Sequence, residues 1–141
     1  MNLINKTILL MNNFFSKYKF LFYLCNLILI FLYLFPGSVL GWFLYDDLSS
    51  QPQITPDFII STNHLYAFLI LSIVGLFTFN KSSHFIYISF YLIFLSLVLE
   101  IMHYFIPERS FQFSDLFGNL LGVIIVIIIF YFFKKNENIK T

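Results

Sequence analysis

Long, continuously apolar segments separated by short polar ones dominate the chain. They do not alternate between apolar and polar residues, as the strands of a membrane β-barrel would, so the pattern indicates helices. A helix rises about 1.5 Å per residue and the hydrocarbon of a bilayer is about 30 Å thick, so one span needs about 20 residues. Four segments are apolar and long enough to be predicted as spans, at about residues 18–35, 62–79, 85–106 and 115–133.

The connections complete the predicted architecture. Pro36 and Gly37 end the first span, and residues 36–61 form the one long connection. Residues 39–45 within it are too apolar for an ordinary exposed loop, and their Trp and Tyr favour the headgroup layer of a membrane. The pattern predicts an all-α membrane protein: a four-helix transmembrane bundle with an interfacial or re-entrant segment after the first span. We expect one domain over residues 1–141.

Composition supports a bilayer as the surroundings. Apolar residues make up 60% of the chain and charged residues 11%, against about 25% charged residues in soluble domains. The polar residues are too few to cover a soluble domain, and the apolar residues are too many for a disordered chain. The formal net charge of +1 provides no basic field for nucleic acid.

The positions of the basic residues predict the orientation. The lysines fall into three groups. Lys6, Lys17 and Lys19 precede the first span, Lys81 lies between the second and third, and Lys134, Lys135 and Lys140 follow the fourth. With four spans, all of these lie on one side of the membrane and only Arg109 lies on the other. The positive-inside rule then places both termini in the cytoplasm.

Six polar side chains are expected in one layer near the outer surface. Glu100 and His103 are three residues apart and share a face of the third span, and Asp115 and Asn119 are four apart at the start of the fourth. Ionisable groups at membrane depth cost about 2.5–3.5 kcal/mol at a helix centre, so such a coincidence indicates a site. The candidate ligand-binding residues are His64, Glu100, His103, Arg109, Asp115 and Asn119.

Gly118 and Gly122 form a Gly-x-x-x-Gly pair that flanks Asn119. Such pairs let two membrane helices approach closely. We expect the third span of the same chain to be the partner, which would bring Glu100 toward Asp115. The alternatives are the interface of a homodimer or a chance spacing of the two glycines.

The polar block resembles the signature of VanZ-like membrane proteins. The resemblance covers roughly residues 60–130 and is carried by the strings LEIMHYFIPERSF (99–111) and SDLFGNLLG (114–122), with NHLYAF (63–68) similar to the start of the preceding helix. It implies a small four- or five-helix bundle in the bacterial cytoplasmic membrane. The family's namesake is associated with resistance to a glycopeptide antibiotic that acts on cell-wall precursors. The resemblance implies a cell-envelope role but no reaction.

Three functions remain open from the residues. Arg109, with His64 and His103, is expected to hold an anionic lipid or glycolipid headgroup at the outer leaflet, positioned by Glu100 and Asp115. An intramembrane enzyme would use Glu100 or a histidine as general base, with Arg109 stabilising charge. In a scaffold for another envelope protein the polar layer would only cap and pair helices, with histidines bonded to carbonyls and Arg109 neutralising a carboxylate.

No nucleophile stands out, so the sequence does not decide whether the protein is an enzyme. We predict no cofactor and no metal. A zinc version of the catalytic hypothesis would use His64, His103 and one carboxylate.

The predicted orientation can be tested by labelling cysteines from outside intact cells. With Cys25→Ser as background, we expect a membrane-impermeant thiol reagent to label Gln53→Cys, in the outer connection, and not Lys135→Cys. Lys135→Cys should become labelled only after the cells are permeabilised. Labelling of Lys135→Cys in intact cells would contradict cytoplasmic termini.

Overall fold

A computed structural model of the protein describes residues 3–57, 59–80 and 82–138. Over these ranges the chain is all-helical, with six helices and no strand. The helices are α1 (Leu3–Lys17), α2 (Phe20–Leu34), α3 (Val39–Tyr45), α4 (Thr62–Thr78), α5 (Ser82–Met102) and α6 (Phe113–Asn138), and a 3₁₀ turn (His103–Phe105) follows α5.

Two helical segments of the described chain are long and apolar enough to cross a membrane on their own: His84–Phe105 and Phe113–Lys135. They lie where the third and fourth spans are predicted. The second predicted span forms α4, an apolar helix of 17 residues and therefore about 25 Å long. By length and composition α4 is below what one crossing usually requires.

The first predicted span forms α2, which has only 15 residues. It follows α1 after a bend of 75°, and only the two helices together reach the length of a span. The sequence reasoning missed α1. The sequence feature that could have predicted α1 is the helical spacing of Ile8, Met11 and Phe15. Their side chains pack against the core from one face of α1.

One end of the molecule gathers the helix ends that the lysine pattern predicts to be cytoplasmic. The Ser16 hydroxyl of α1 donates to the Thr78 carbonyl of α4 at 3.3 Å. The Lys134 ammonium of α6 lies 4.6 Å from the centre of the Phe85 ring of α5. Lys81 and Lys140, which also entered the orientation argument, lie outside the described residues.

The closest helix pair is α4 and α6, which meet at Gly118 and Gly122. A Cβ atom on Gly118 would lie 2.5 Å from the Ser61 carbonyl oxygen, and one on Gly122 would lie 2.5 Å from that of Leu65. Both distances are shorter than a real Cβ contact, so only glycine permits this approach. The glycine pair thus packs within the chain, but the expectation that its partner is the third span is wrong: the partner is α4.

The core runs along the middle of the helices, and its fully buried side chains are Phe68, Leu71, Leu76, Leu92 and Val123. On α5 the opposite face exposes Tyr87, Phe90 and Phe94, each by two thirds or more. Exposed aromatic side chains in a continuous stripe are unfavourable in water and suit contact with lipid.

The apolar stretch of the long connection is helical. Ser38 caps α3 by accepting a hydrogen bond from the Gly41 N–H at 2.9 Å, and Gly41 is buried where the chain returns past it at Ser50. Trp42 and Phe43 are exposed by 55% and 82%. The segment predicted to lie in the interface is thus a short helix with exposed aromatic residues.

Gly122→Ala should destabilise the fold by about 1–3 kcal/mol, because the added methyl group meets the backbone of α4 and forces the two helices apart. The measurement is the free energy of unfolding in detergent micelles, titrated with sodium dodecyl sulfate. Ile124→Val, which removes one carbon from an exposed side chain of the same helix, serves as the control. An effect of Gly122→Ala no larger than that of Ile124→Val would contradict the close α4–α6 contact.

Candidate functional site

The six predicted site residues lie at one end of the molecule, opposite the end formed by α1 and the last turn of α6. His64 is in the first turn of α4, Glu100 near the end of α5, His103 in the 3₁₀ turn, Arg109 in the following loop, and Asp115 and Asn119 at the start of α6. His64, Glu100, His103 and Asn119 are all at most 5% exposed. The contacts described next show which of these side chains the fold brings together.

Tyr33, His64 and Asn119 form a buried hydrogen-bonded triangle. The Tyr33 hydroxyl donates to Asn119 Oδ1 at 2.6 Å, and His64 Nδ1 lies 3.0 Å from that hydroxyl and 3.2 Å from Asn119 Oδ1. Because Asn119 Oδ1 only accepts, its contact with Nδ1 is a hydrogen bond in the tautomer of His64 that carries the proton on Nδ1. The other ring nitrogen of His64, Nε2, is not part of this triangle.

Nε2 of His64 faces Asp115, with 3.5 Å between Nε2 and Oδ2. On the other side of the ring, Oε2 of Glu100 lies 3.9 Å from Nδ1. The three side chains come from α4, α6 and α5, so the close packing of Gly118 against α4 is what brings Asp115 to His64.

The two oxygens of Glu100 have different surroundings. Oε1 accepts from the backbone N–H of Gln112 at 3.0 Å and lies 3.4 Å from His103 Nδ1. This bond occupies a backbone donor just before α6, where the first N–H groups of a helix have no partner within it. Oε2 is buried and has no hydrogen-bond partner among the described residues, and the same holds for Asn119 Nδ2.

Arg109 and His103 bond to the end of α2. Arg109 Nη2 donates to the Leu32 carbonyl at 3.0 Å and Nε donates to the Phe35 carbonyl at 3.3 Å. His103 Nε2 donates to the Tyr33 carbonyl at 3.1 Å. The carbonyl of Leu32 would accept from residue 36 in a continuing helix, but proline has no N–H, so the guanidinium takes that place.

These bonds correct the expected partner of Arg109. Within residues 3–57, 59–80 and 82–138, no ion pair joins Arg109 to a carboxylate within 4.0 Å. The charges of Asp115 and Glu100 act on the guanidinium from farther away. The carbonyl bond of His103 is the arrangement that the scaffold hypothesis predicts for the histidines.

A cleft of about 330 Å³ opens beside this cluster. It lies between the end of α2, α3, the following connection and α4, and most of its wall is apolar, with Leu32, Leu40 and Ile70 among the lining residues. Arg109, His64 and Tyr33 also line it. The cleft therefore combines a mostly apolar wall with a fixed cation and several hydrogen-bonding side chains.

Tyr33 is the site residue that the sequence reasoning missed. It is 8% exposed, bonds to two of the predicted site residues through its hydroxyl, and accepts from a third through its carbonyl. The available signal was its place in the last turn before Pro36, at the same predicted depth as the cluster. A buried tyrosine hydroxyl usually finds a hydrogen-bond partner.

The chain matches no protein-family model, no curated protein and no solved structure.

Tyr33→Phe should lower the free energy of unfolding by about 1–2 kcal/mol, because it removes a buried hydroxyl that bonds to both His64 and Asn119. Tyr23→Phe on the same helix removes a hydroxyl from a side chain that is 58% exposed and should change stability by less than about 0.5 kcal/mol. The two variants are compared by unfolding in detergent micelles. Equal stabilities would show that the triangle contributes nothing to the fold.

Proposed function

We propose that the protein is a VanZ-like multi-pass membrane protein of the bacterial cell envelope that binds the headgroup of an anionic lipid or glycolipid. In this proposal the chain crosses the cytoplasmic membrane four times, with both termini in the cytoplasm and the cleft at the outer leaflet. The observation that carries the proposal is a cleft whose wall is apolar and whose polar lining includes Arg109.

The shape and lining of the cleft suit an amphiphile. Binding sites for small molecules commonly measure about 300–1,000 Å³ and combine apolar walls with a few placed polar groups. Acyl chains would contact the apolar wall formed by residues such as Leu40 and Ile70, and the headgroup would lie against Arg109.

Arg109 has the hydrogen-bonding capacity that an anion needs. A guanidinium has five N–H groups, and two of them donate to the carbonyls of Phe35 and Leu32. Those two bonds fix the side chain in place. The three other N–H groups have no hydrogen-bond partner among the described residues, and they form the planar donor set that binds phosphate oxygens well.

The arrangement of charges along the bundle supports the orientation. The polar cluster and the cleft lie at one end, and Lys17 and Lys134 lie near the other, where α1 and the last turn of α6 meet. An excess of lysine marks the cytoplasmic side, so the cleft belongs to the outer leaflet.

Arg109→Gln should reduce the retention of an anionic lipid at least about tenfold, since hydrogen bonds to a charged group contribute about 1.5–3 kcal/mol. The protein is incorporated into nanodiscs with equal parts of phosphatidylglycerol and phosphatidylcholine and is then extracted in dodecyl maltoside. The ratio of the two lipids that remain bound is measured by mass spectrometry. Glutamine keeps a donor for the Leu32 carbonyl while removing the charge.

Lys135→Gln, which removes one exposed positive charge at the other end, is the matched control and should retain phosphatidylglycerol like the unsubstituted protein. Arg109→Lys keeps the charge without the planar donor set and should lose part of the preference. A folded Arg109→Gln variant with an unchanged lipid ratio would reject the proposal. If Arg109→Gln lowers the stability of the protein but leaves the ratio of the two bound lipids unchanged, the scaffold hypothesis is favoured instead.

A further inference from the structure

We propose that His64, Glu100 and Asp115 form a binding site for one divalent transition-metal ion, with Zn²⁺ the best match. This site is separate from the lipid contact of Arg109, and its existence does not depend on that contact. The sequence by itself predicts no metal. The three-dimensional arrangement of donors from three helices is what points to one.

The donor atoms have the right types and nearly the right spacing. Each of the three residues offers one ligand atom, and these atoms lie within 4.8 Å of one another. His64 Nε2 and Asp115 Oδ2 are 3.5 Å apart. Two ligands of a tetrahedral zinc ion are about 3.4 Å apart, given metal–ligand bonds of about 2.0–2.1 Å. This pair therefore has the spacing of two zinc ligands, and the third donor, from Glu100, would have to move toward them to complete the coordination.

The surroundings of His64 resemble those of a metal-bound histidine. Such histidines usually donate their second ring N–H to a protein acceptor, which fixes the ring and leaves the other nitrogen for the metal. Here the tautomer of His64 with its proton on Nδ1 donates that proton to Asn119 Oδ1, and the Tyr33 hydroxyl lies beside it. Nε2 then faces Asp115 with its lone pair available.

The unpaired oxygen of Glu100 is the second, independent observation. Glu100 is completely buried, and its Oε2 has no hydrogen-bond partner in the described chain; the distance from Oε2 to His64 Nδ1 is 3.9 Å. A buried carboxylate oxygen without a partner is costly, and a bound cation would supply what is missing. A divalent ion would also balance the charges of Glu100 and Asp115 in a region of low dielectric.

The donor set distinguishes among metals and among histidines. One imidazole and two carboxylates suit Zn²⁺ and similar first-row ions better than Mg²⁺ or Ca²⁺, which prefer oxygen ligands alone. His103 is not in the group of donors that lie within 4.8 Å of one another, so the imidazole of the proposed site is that of His64. Three protein ligands leave a fourth position open, and the His64 side chain borders the cleft from which an ion can enter.

The test is Zn²⁺ binding by the full chain, without an affinity tag, in dodecyl maltoside and without phospholipid. After treatment with a chelator, the unsubstituted protein should bind one Zn²⁺ per chain in isothermal titration calorimetry. His64→Gln and Asp115→Asn should each weaken binding at least about 100-fold. His84→Gln, which alters an exposed histidine at the other end of α5, is the matched control and should bind Zn²⁺ like the unsubstituted protein.

Binding of Co²⁺ to the unsubstituted protein is a second measurement that needs no buried substitution. An intense visible absorption band, typical of four- or five-coordinate Co²⁺, supports the site, and the weak spectrum of a six-coordinate hydrated ion overturns it. Equal Zn²⁺ affinity in the unsubstituted, His64→Gln and Asp115→Asn proteins would also overturn it. Because no lipid is present, failure of this test leaves the lipid-binding result unaffected, and the reverse is also true.

Discussion

The contact between α4 and α6 at Gly118 and Gly122 is the constraint on which the polar cluster depends. Carbonyl oxygens of one helix lie where the side chains of the other would begin, so the two backbones are as close as helices can pack. His64 lies on α4 at this contact, with its Cβ 3.3 Å from the place of a Cβ on Gly118, and Asp115 and Asn119 lie on α6 on either side of Gly118. Separating the helices by the width of one methyl group would break the link from His64 to both.

The polar groups of the site serve the fold as well as any ligand. Arg109 and His103 bond to the free carbonyls at the end of α2, and Glu100 bonds to the backbone just before α6. Backbone groups without partners are costly away from water. These bonds satisfy such groups and hold together the end of α2, the end of α5 and the start of α6. Arg109 lines the cleft and is fixed at that junction by two of its five N–H groups.

The parts of the structure that follow from local pattern could be predicted, and those that depend on the choice of partner could not. Continuous apolar runs placed α5 and α6, and spacings of three and four residues placed Glu100 near His103 and Asp115 near Asn119. Small residues on α6 showed that some helix approaches it, but not that the helix is α4. We expected Arg109 to pair with a carboxylate and did not foresee that Pro36 leaves the Leu32 carbonyl free to accept from it. Tyr33 was missed because it lies in a continuously apolar segment.

The missing N–H of Pro36 has a consequence for biogenesis. The carbonyl of Leu32 accepts its hydrogen bond from Arg109, which lies 77 residues later in the chain. While the ribosome is still making α4 and α5, the last turn of α2 has neither its own helical partner nor Arg109. The end of α2 therefore reaches its final hydrogen bonding only after α4, α5 and the loop before α6 have been synthesised.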